Sequence, residues 1–211
     1  MEWCDGIAAR AKCVKQKRTI GSGGNGYGQL NRPYDIFIKG DIMYIVDLGN
    51  HRIQKLTTSG QFLKTFGQFG SGKDPTSVIV DQRDRLIVTD HHNHRVVILD
   101  EKGARHLLTI NRGNCYSPAY LQYPHSLVLD PEGNIHVAAN GYFTIKVFAP
   151  EGTYVRSYGD VKGPTGIVID EEGYSLVTER DGDCLSIFDP RGSKIHTISN
   201  LNKPKGVFFR C

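Results

Sequence analysis

The sequence predicts an all-β chain, a β-propeller of four-stranded antiparallel blades with four blades complete and a fifth partial or composite. Three observations carry that expectation. Proline-led apolar runs recur along the whole chain, β-branched and aromatic stretches alternate with Gly, Asn, Asp and Pro, and no stretch sustains a helical period. The runs are Pro33-Tyr-Asp-Ile-Phe-Ile38, Pro75-Thr-Ser-Val-Ile-Val80, Pro124-His-Ser-Leu-Val-Leu129, Pro164-Thr-Gly-Ile-Val-Ile169 and Pro204-Lys-Gly-Val-Phe-Phe209. Their prolines stand 42, 49, 40 and 40 residues apart.

Each of the first four runs predicts an opening strand, since proline lacks a donor and tends to precede a strand rather than interrupt it. A charged turn follows, as in Asp130-Pro-Glu-Gly133. Second strands are then expected at residues 43–46, 85–88, 135–138 and 174–177, and third strands at 53–56, 96–99, 145–148 and 185–188. A Gly-containing turn and an outer strand close each unit, as at 62–66 and 154–158. One such sheet leaves its faces partly bare, so neighbouring blades must pack on one another.

Composition excludes several classes. The 211 residues are 39% hydrophobic and 23% charged, with 24 Gly, which is too apolar for disorder and too glycine-rich for a helix bundle. No apolar run approaches the roughly 20 residues of a membrane span, and the start lacks a secretory pattern. A cytoplasmic setting is the expectation. Five cysteines at 4, 13, 115, 184 and 211, without a CxxC pair, argue against a disulfide framework or zinc finger. The net charge of +4 permits an anionic partner without requiring one. Residues 1–14 read as an N-terminal segment and 15–211 as the propeller.

Two segments go further. Asp47-Leu-Gly-Asn50-His51-Arg52-Ile53 and Asp90-His-His-Asn93-His94-Arg95-Val96 resemble the Asn-His-Arg core of NHL repeats. The likeness covers about residues 18–211 and is specific in the first two blades. The third and fourth blades keep the spacing but have Gly141-Tyr142-Phe143-Thr144 and Gly182-Asp183-Cys184 at the equivalent positions. NHL propellers are usually six-bladed, which takes about 250 residues. This chain fits either a compact five-bladed ring with a reduced closing blade or part of a six-bladed one. Residues 15–20, which resemble an outer strand, and the inner strand expected at 205–209 are the pieces that a closing blade would use.

The resemblance is nearest to the C-terminal domain of TRIM-NHL proteins, in which the propeller recognises RNA or protein. It implies a binding platform, not an enzyme. No Cys/His-rich RING or B-box occurs in this sequence, so any such module lies outside this chain. The partner expected is single-stranded RNA or a protein; the alternatives are a protein scaffold in a ubiquitin-ligase system and, less favoured, a metal-dependent lyase or hydrolase. No cofactor or metal is expected.

The candidate residues follow from the repeat. Tyr34, Thr76, His125, Thr165 and Lys205 each follow a blade proline and are expected to ring the channel mouth. The stretched spacing before Pro124 leaves a long loop, 111–123, with Arg112, Tyr116, Tyr120 and Tyr123. Together with Arg32, Tyr142, Phe143 and Arg180 these would make a basic face with stacking platforms for unpaired bases. Acids on the same face (Asp47, Asp90, Glu179, Asp181) dilute any attraction for phosphate. Arg52 and Arg95 invite a phosphate role. Their equal separation from Asp47 and Asp90 instead predicts a loop brace, a planar guanidinium held by a carboxylate. The run Asp90-His-His-Asn-His94 reads as a polar loop before it reads as a metal site. Gly21 to Gly26 read as a blade linker, and no catalytic motif marks Cys115 or any Ser as a nucleophile.

Overall fold

The computed structural model describes residues 19–67, 74–102, 105–110 and 115–208. A short parallel pair, β1 (Ser22–Gly23) and β2 (Gln29–Leu30), precedes four antiparallel sheets. Blade 1 holds β3 (Pro33–Lys39), β4 (Ile42–Asp47), β5 (Arg52–Thr57) and β6 (Phe62–Gly67). Blade 2 holds β7 (Pro75–Val80), β8 (Arg85–Asp90), β9 (Arg95–Asp100) and β10 (His106–Ile110). Blade 3 holds β11 (Pro124–Leu129), β12 (Ile135–Ala139), β13 (Thr144–Phe148) and β14 (Tyr154–Tyr158), and blade 4 holds β15 (Pro164–Ile169), β16 (Ser175–Glu179), β17 (Cys184–Phe188) and β18 (Lys194–Ile198). Strand order within each sheet is sequential.

The register repeats as closely as the spacing. Ile53 faces Phe66, Val96 faces Ile110, Ile145 faces Tyr158, and Leu185 faces Ile198, each across the last two strands of its blade. Each opening strand shifts register just after its proline, where the missing N–H breaks the ladder. The turn before β18 requires glycine, because Gly192 has φ of +91° and a Cβ there would run into Tyr158.

The opening strands β3, β7, β11 and β15 contact one another in sequence and so line the axis. Between blades lie three apolar cores. Tyr44, Val46, Ile53 and Phe66 meet Val78, Leu86 and Val97 between blades 1 and 2. Ile87, Val96 and Ile98 meet Leu127, Ile135 and Phe148 between blades 2 and 3. Ile145, Val147 and Tyr158 meet Ile167, Val177 and Phe188 between blades 3 and 4. Burial of this kind, about 25 cal/mol per Å² of apolar surface, is the main force holding blade to blade.

Ile20 and Leu30 cover Met43, Ile45 and Leu56 on the far face of blade 1. Tyr27 stacks on Phe62 with ring centroids 4.6 Å apart. Gln54 fixes this cover from within the sheet, accepting from the Gly28 N–H and donating to the Gln29 carbonyl.

The expected closing blade is not formed among the described residues. Residues 204–208 run beside blade 4 but pair with no strand. Their place is nevertheless that of an opening strand. The Thr165 hydroxyl donates to the Pro204 carbonyl at 2.9 Å, as the Thr76 hydroxyl does to the Pro124 carbonyl at 3.4 Å. A strand needs a partner to be one, and among the described residues this segment has none. Residues 15–18 of the expected outer strand lie outside the described residues.

Candidate functional site

The loops joining second to third strands share one face with the blade-to-blade connections. Each of the four ends in a residue with left-handed backbone: His51 (φ 53°), His94 (φ 53°), Phe143 (φ 53°) and Asp183 (φ 50°). In non-glycine residues this conformation is uncommon, and its recurrence at one position shows a loop geometry imposed four times. The residues before three blade prolines, Arg32, Tyr123 and Lys203, are left-handed as well.

In blades 1 and 2 the loop is held by the carboxylate brace. Arg52 Nε donates to Asp47 Oδ2 at 2.7 Å and Arg95 Nε to Asp90 Oδ2 at 2.8 Å, with both aspartates fully buried. Asn50 and Asn93 donate to the same carboxylates. Asp47 also accepts from the Asn31 N–H, tying the loop to the approach of β3. Blade 4 keeps the device with different letters. Glu179 accepts from the Lys162 N–H, the Ser186 hydroxyl and Lys194, and these donors hold its carboxyl below the usual range against the cost of burial. Arg52 and Arg95 are therefore engaged in the fold.

The five residues after the blade prolines do not form one rim. Thr76 and Thr165 are buried and act as the inter-blade clamps. His125 is buried too: its Nδ1 lies 2.9 Å from the Thr165 carbonyl and its Nε2 2.8 Å from the Tyr34 hydroxyl. A carbonyl can only accept, so Nδ1 carries the proton and Nε2 accepts from Tyr34. Burial, with His91 and Arg180 nearby, lowers the His125 pKa to about 4. Only Tyr34 and Lys205 remain exposed.

Tyr34 and His125, 91 residues apart in sequence, join blade 1 to blade 3 across the axis. Beside them is an open hollow of about 470 Å³ lined by Arg32, Tyr34, His51, Asp74, His91 and His92, among others. Asp74 faces His51 and His92, whose Nδ1 atoms approach its two oxygens. From here an aromatic track runs outward between blades 2 and 3. His91 lies 5.7 Å from His125 and 5.2 Å from Tyr123 between ring centroids, Tyr123 4.4 Å from His94, and Tyr120 6.1 Å from Tyr142.

Part of the long loop packs down. Leu121 is fully buried, Tyr142 donates to the Cys115 carbonyl, and Lys146 donates to the Pro118 carbonyl with its ammonium 5.0 Å from the Tyr142 ring centre. Burial lowers the Lys146 pKa. Tyr116, 90% exposed, projects from the loop, and Tyr123, Tyr142 and Phe143 remain accessible. Arg112 lies outside the described residues. Arg180 pairs with exposed Asp181 at 2.9 Å. The sequence reads 90–94 as a polar loop and gives Asp74 no mark; for His51 the available signal is the recurrence of His at the last position of two signature loops, His51 and His94. Among the described residues, no group of three or more His, Cys, Asp or Glu side chains is arranged to hold a metal. Nor, among the described residues, is any helix long and apolar enough to cross a membrane.

With this geometry in place, comparison with known proteins is specific about the repeat. Residues 73–99, the core of blade 2, match the NHL repeat family. The mouse (Mus musculus) NHL repeat-containing protein 3 is 27% identical over an alignment of 139 residues that covers 56% of this chain and 40% of the mouse protein. A virginiamycin B lyase from Staphylococcus aureus, solved in a catalytically inactive form with quinupristin, superposes with a TM-score of 0.67 at 14% identity, covering 83% of this chain and 59% of that one. The hydrazine synthase of Kuenenia stuttgartiensis gives 0.65 at 17% identity, covering 83% and 51%. At such identities the likeness to solved structures is one of fold, which many functions share. The chain spans less than two thirds of each of these relatives. The second blade thus matches the NHL repeat, within a chain folded as a β-propeller of four antiparallel blades.

Proposed function

We propose that this propeller is a non-catalytic binding platform, cytoplasmic in setting, and that its loop face takes single-stranded RNA. The observation that carries the reading is the aromatic track from Tyr34 through His91, Tyr123 and His94 to Tyr142, with Arg32 and Lys205 exposed at its axial end. Unpaired bases stack on such rings whatever their identity, while cations hold the phosphates. The buried acids of this face are already satisfied by the loop braces, which removes much of the repulsion an RNA backbone would meet.

The test is fluorescence anisotropy with a randomised single-stranded RNA pool over a salt series. Tyr34→Ala and Tyr123→Ala should each cost about 1–3 kcal/mol of binding if a base stacks there. Lys205→Ala should reduce the salt slope by about 0.7 if it neutralises one phosphate. Absence of binding at low salt, or binding indifferent to all three changes, refutes the RNA reading and leaves a protein partner as the ligand of this face.

A further inference from the structure

Among the described residues, the axial hollow is lined by the imidazoles of His51, His91, His92 and His125, by Arg32, and by one acid, Asp74. Three of the tautomers follow from their partners. His91 Nδ1 lies 3.1 Å from the Pro124 carbonyl, His92 Nδ1 contacts Asp74 Oδ2, and His125 Nδ1 meets the Thr165 carbonyl. Carbonyl and carboxylate oxygens only accept, so each of these rings carries its proton on Nδ1 and leaves Nε2 as the atom that titrates. The Nε2 of His125 is taken by the Tyr34 hydroxyl. Those of His91 and His92 have no hydrogen-bond partner among the described residues.

His91 is half-buried, with His92, Tyr123 and His125 packed on it at 4.9, 5.2 and 5.7 Å between ring centroids. Imidazole changes charge near pH 6.5, where few other side chains do. Neutral, the Nε2 atoms of His91 and His92 accept. Protonated, they donate and carry charge. Burial holds the His91 pKa below its usual value, with His92 and His94 acting the same way and Asp74 and the Pro124 carbonyl opposing them.

In acid the charge around these rings becomes one-sided. Asp74 lies between His92 and His51, whose Nδ1 is 3.5 Å from Asp74 Oδ1. One carboxylate balances one imidazolium, which leaves any second imidazolium and Arg32 without a counter-charge in the lining. Acids nearby are engaged elsewhere: Asp47 with Arg52, Asp90 with Arg95, Asp35 with the Ser77 hydroxyl and Asp181 with Arg180. Arg180 and Lys205 add positive charge near His125.

We propose that the axial hollow is an acid-gated site for an oxyanion of the sulfate or phosphodiester class, held by Arg32, His91 and His92. Such groups stay ionised at every pH where imidazole titrates, so the switch resides in the protein. Hydrogen bonds from imidazolium and guanidinium to an oxyanion are roughly twice as strong as neutral ones. At neutral pH the same two nitrogens present lone pairs to the anion and repel it. The hollow, about 470 Å³, has room for the rest of a molecule that bears the group. The site goes beyond the RNA reading and stands without it.

The test is NMR of the histidine rings of the full chain, titrated from about pH 8 to about pH 5 in sodium sulfate and in sodium chloride of equal ionic strength. An anion that binds only the protonated form raises the titration midpoint. At a tenfold excess over its dissociation constant, sulfate should move the His91 and His92 midpoints up by about one pH unit relative to chloride. His106 and His196, exposed on the outer strands β10 and β18, should titrate alike in both salts. Arg32→Asn, which suits the left-handed backbone at that position, should lose most of the rise. His92→Gln should lose most of it at His91. Amide spectra recorded in parallel report that each protein stays folded. Equal midpoints in the two salts overturn the proposal. So does a rise shared by His106 and His196, which is the signature of general charge screening. Adding the single-stranded RNA pool at about pH 5.5 distinguishes the sources of the group. Displaced sulfate identifies the RNA backbone as occupant, and retained sulfate identifies a free oxyanion. A pool that binds at no pH defeats the RNA reading and leaves the sulfate result in force.

Discussion

Replacing Asp47 by alanine tests whether the signature loop is held from inside. The buried carboxylate accepts from the Asn31 N–H at 2.6 Å, Arg52 Nε at 2.7 Å, Asn50 Nδ2 at 2.8 Å and Gln54 Nε2 at 3.0 Å. Arg52 is only 13% exposed and keeps two further bonds, to the Gly26 and Gln29 carbonyls. Removing the acid leaves a largely buried cation without its counter-charge, together with a backbone N–H that has lost its acceptor. Breaking a buried pair in this way costs about 3–5 kcal/mol. A domain is stable by about 5–15 kcal/mol, so the variant should unfold at much lower urea. Arg52→Ala should also destabilise, and the double variant should fall short of the sum, with a coupling of about 0.5–3 kcal/mol. Asp90→Ala should cost less, since Arg95 is 29% exposed and water can take over part of its solvation. Urea titration of wild type and the four variants reads all of this. A cost below about 1 kcal/mol for Asp47→Ala would refute the brace. So would Arg52→Ala if it abolished RNA binding with stability intact.

Acid should weaken the fold. The lowered pKa of His125 keeps it neutral in the native state, so the unfolded chain binds more protons as pH falls from about 6.5 toward 4. That one residue should remove about 2 kcal/mol of stability between about pH 7 and about pH 5, read as a lower urea midpoint. His91 and His136, also lowered mainly by burial, act in the same direction. An unchanged midpoint would show that His125 is not held neutral. Phe148, fully buried between blades 2 and 3 and edge-on to Tyr154, should cost about 3–5 kcal/mol when cut to alanine, by the same measurement.

The features legible before folding are those that neighbouring residues decide. Proline spacing, strand alternation and turn residues set four blades with one register, because each blade pairs strands that follow one another along the chain. The Asp47–Arg52 and Asp90–Arg95 braces were legible for the same reason, since each closes over five residues of a single loop. Burial is not local. Thr76, His125 and Thr165 occupy the same repeat position as exposed Tyr34 and Lys205, yet the first three are buried against the chain that follows their blade, at the Pro124, Thr165 and Pro204 carbonyls, and the other two are not. The bond from Tyr34 to His125 spans three blades and has no signature in either blade alone. The state of the ends was likewise decided only in three dimensions. Residues 204–208 have the letters of a strand, but a strand is made by the hydrogen bonds of its neighbour, and among the described residues they pair with none.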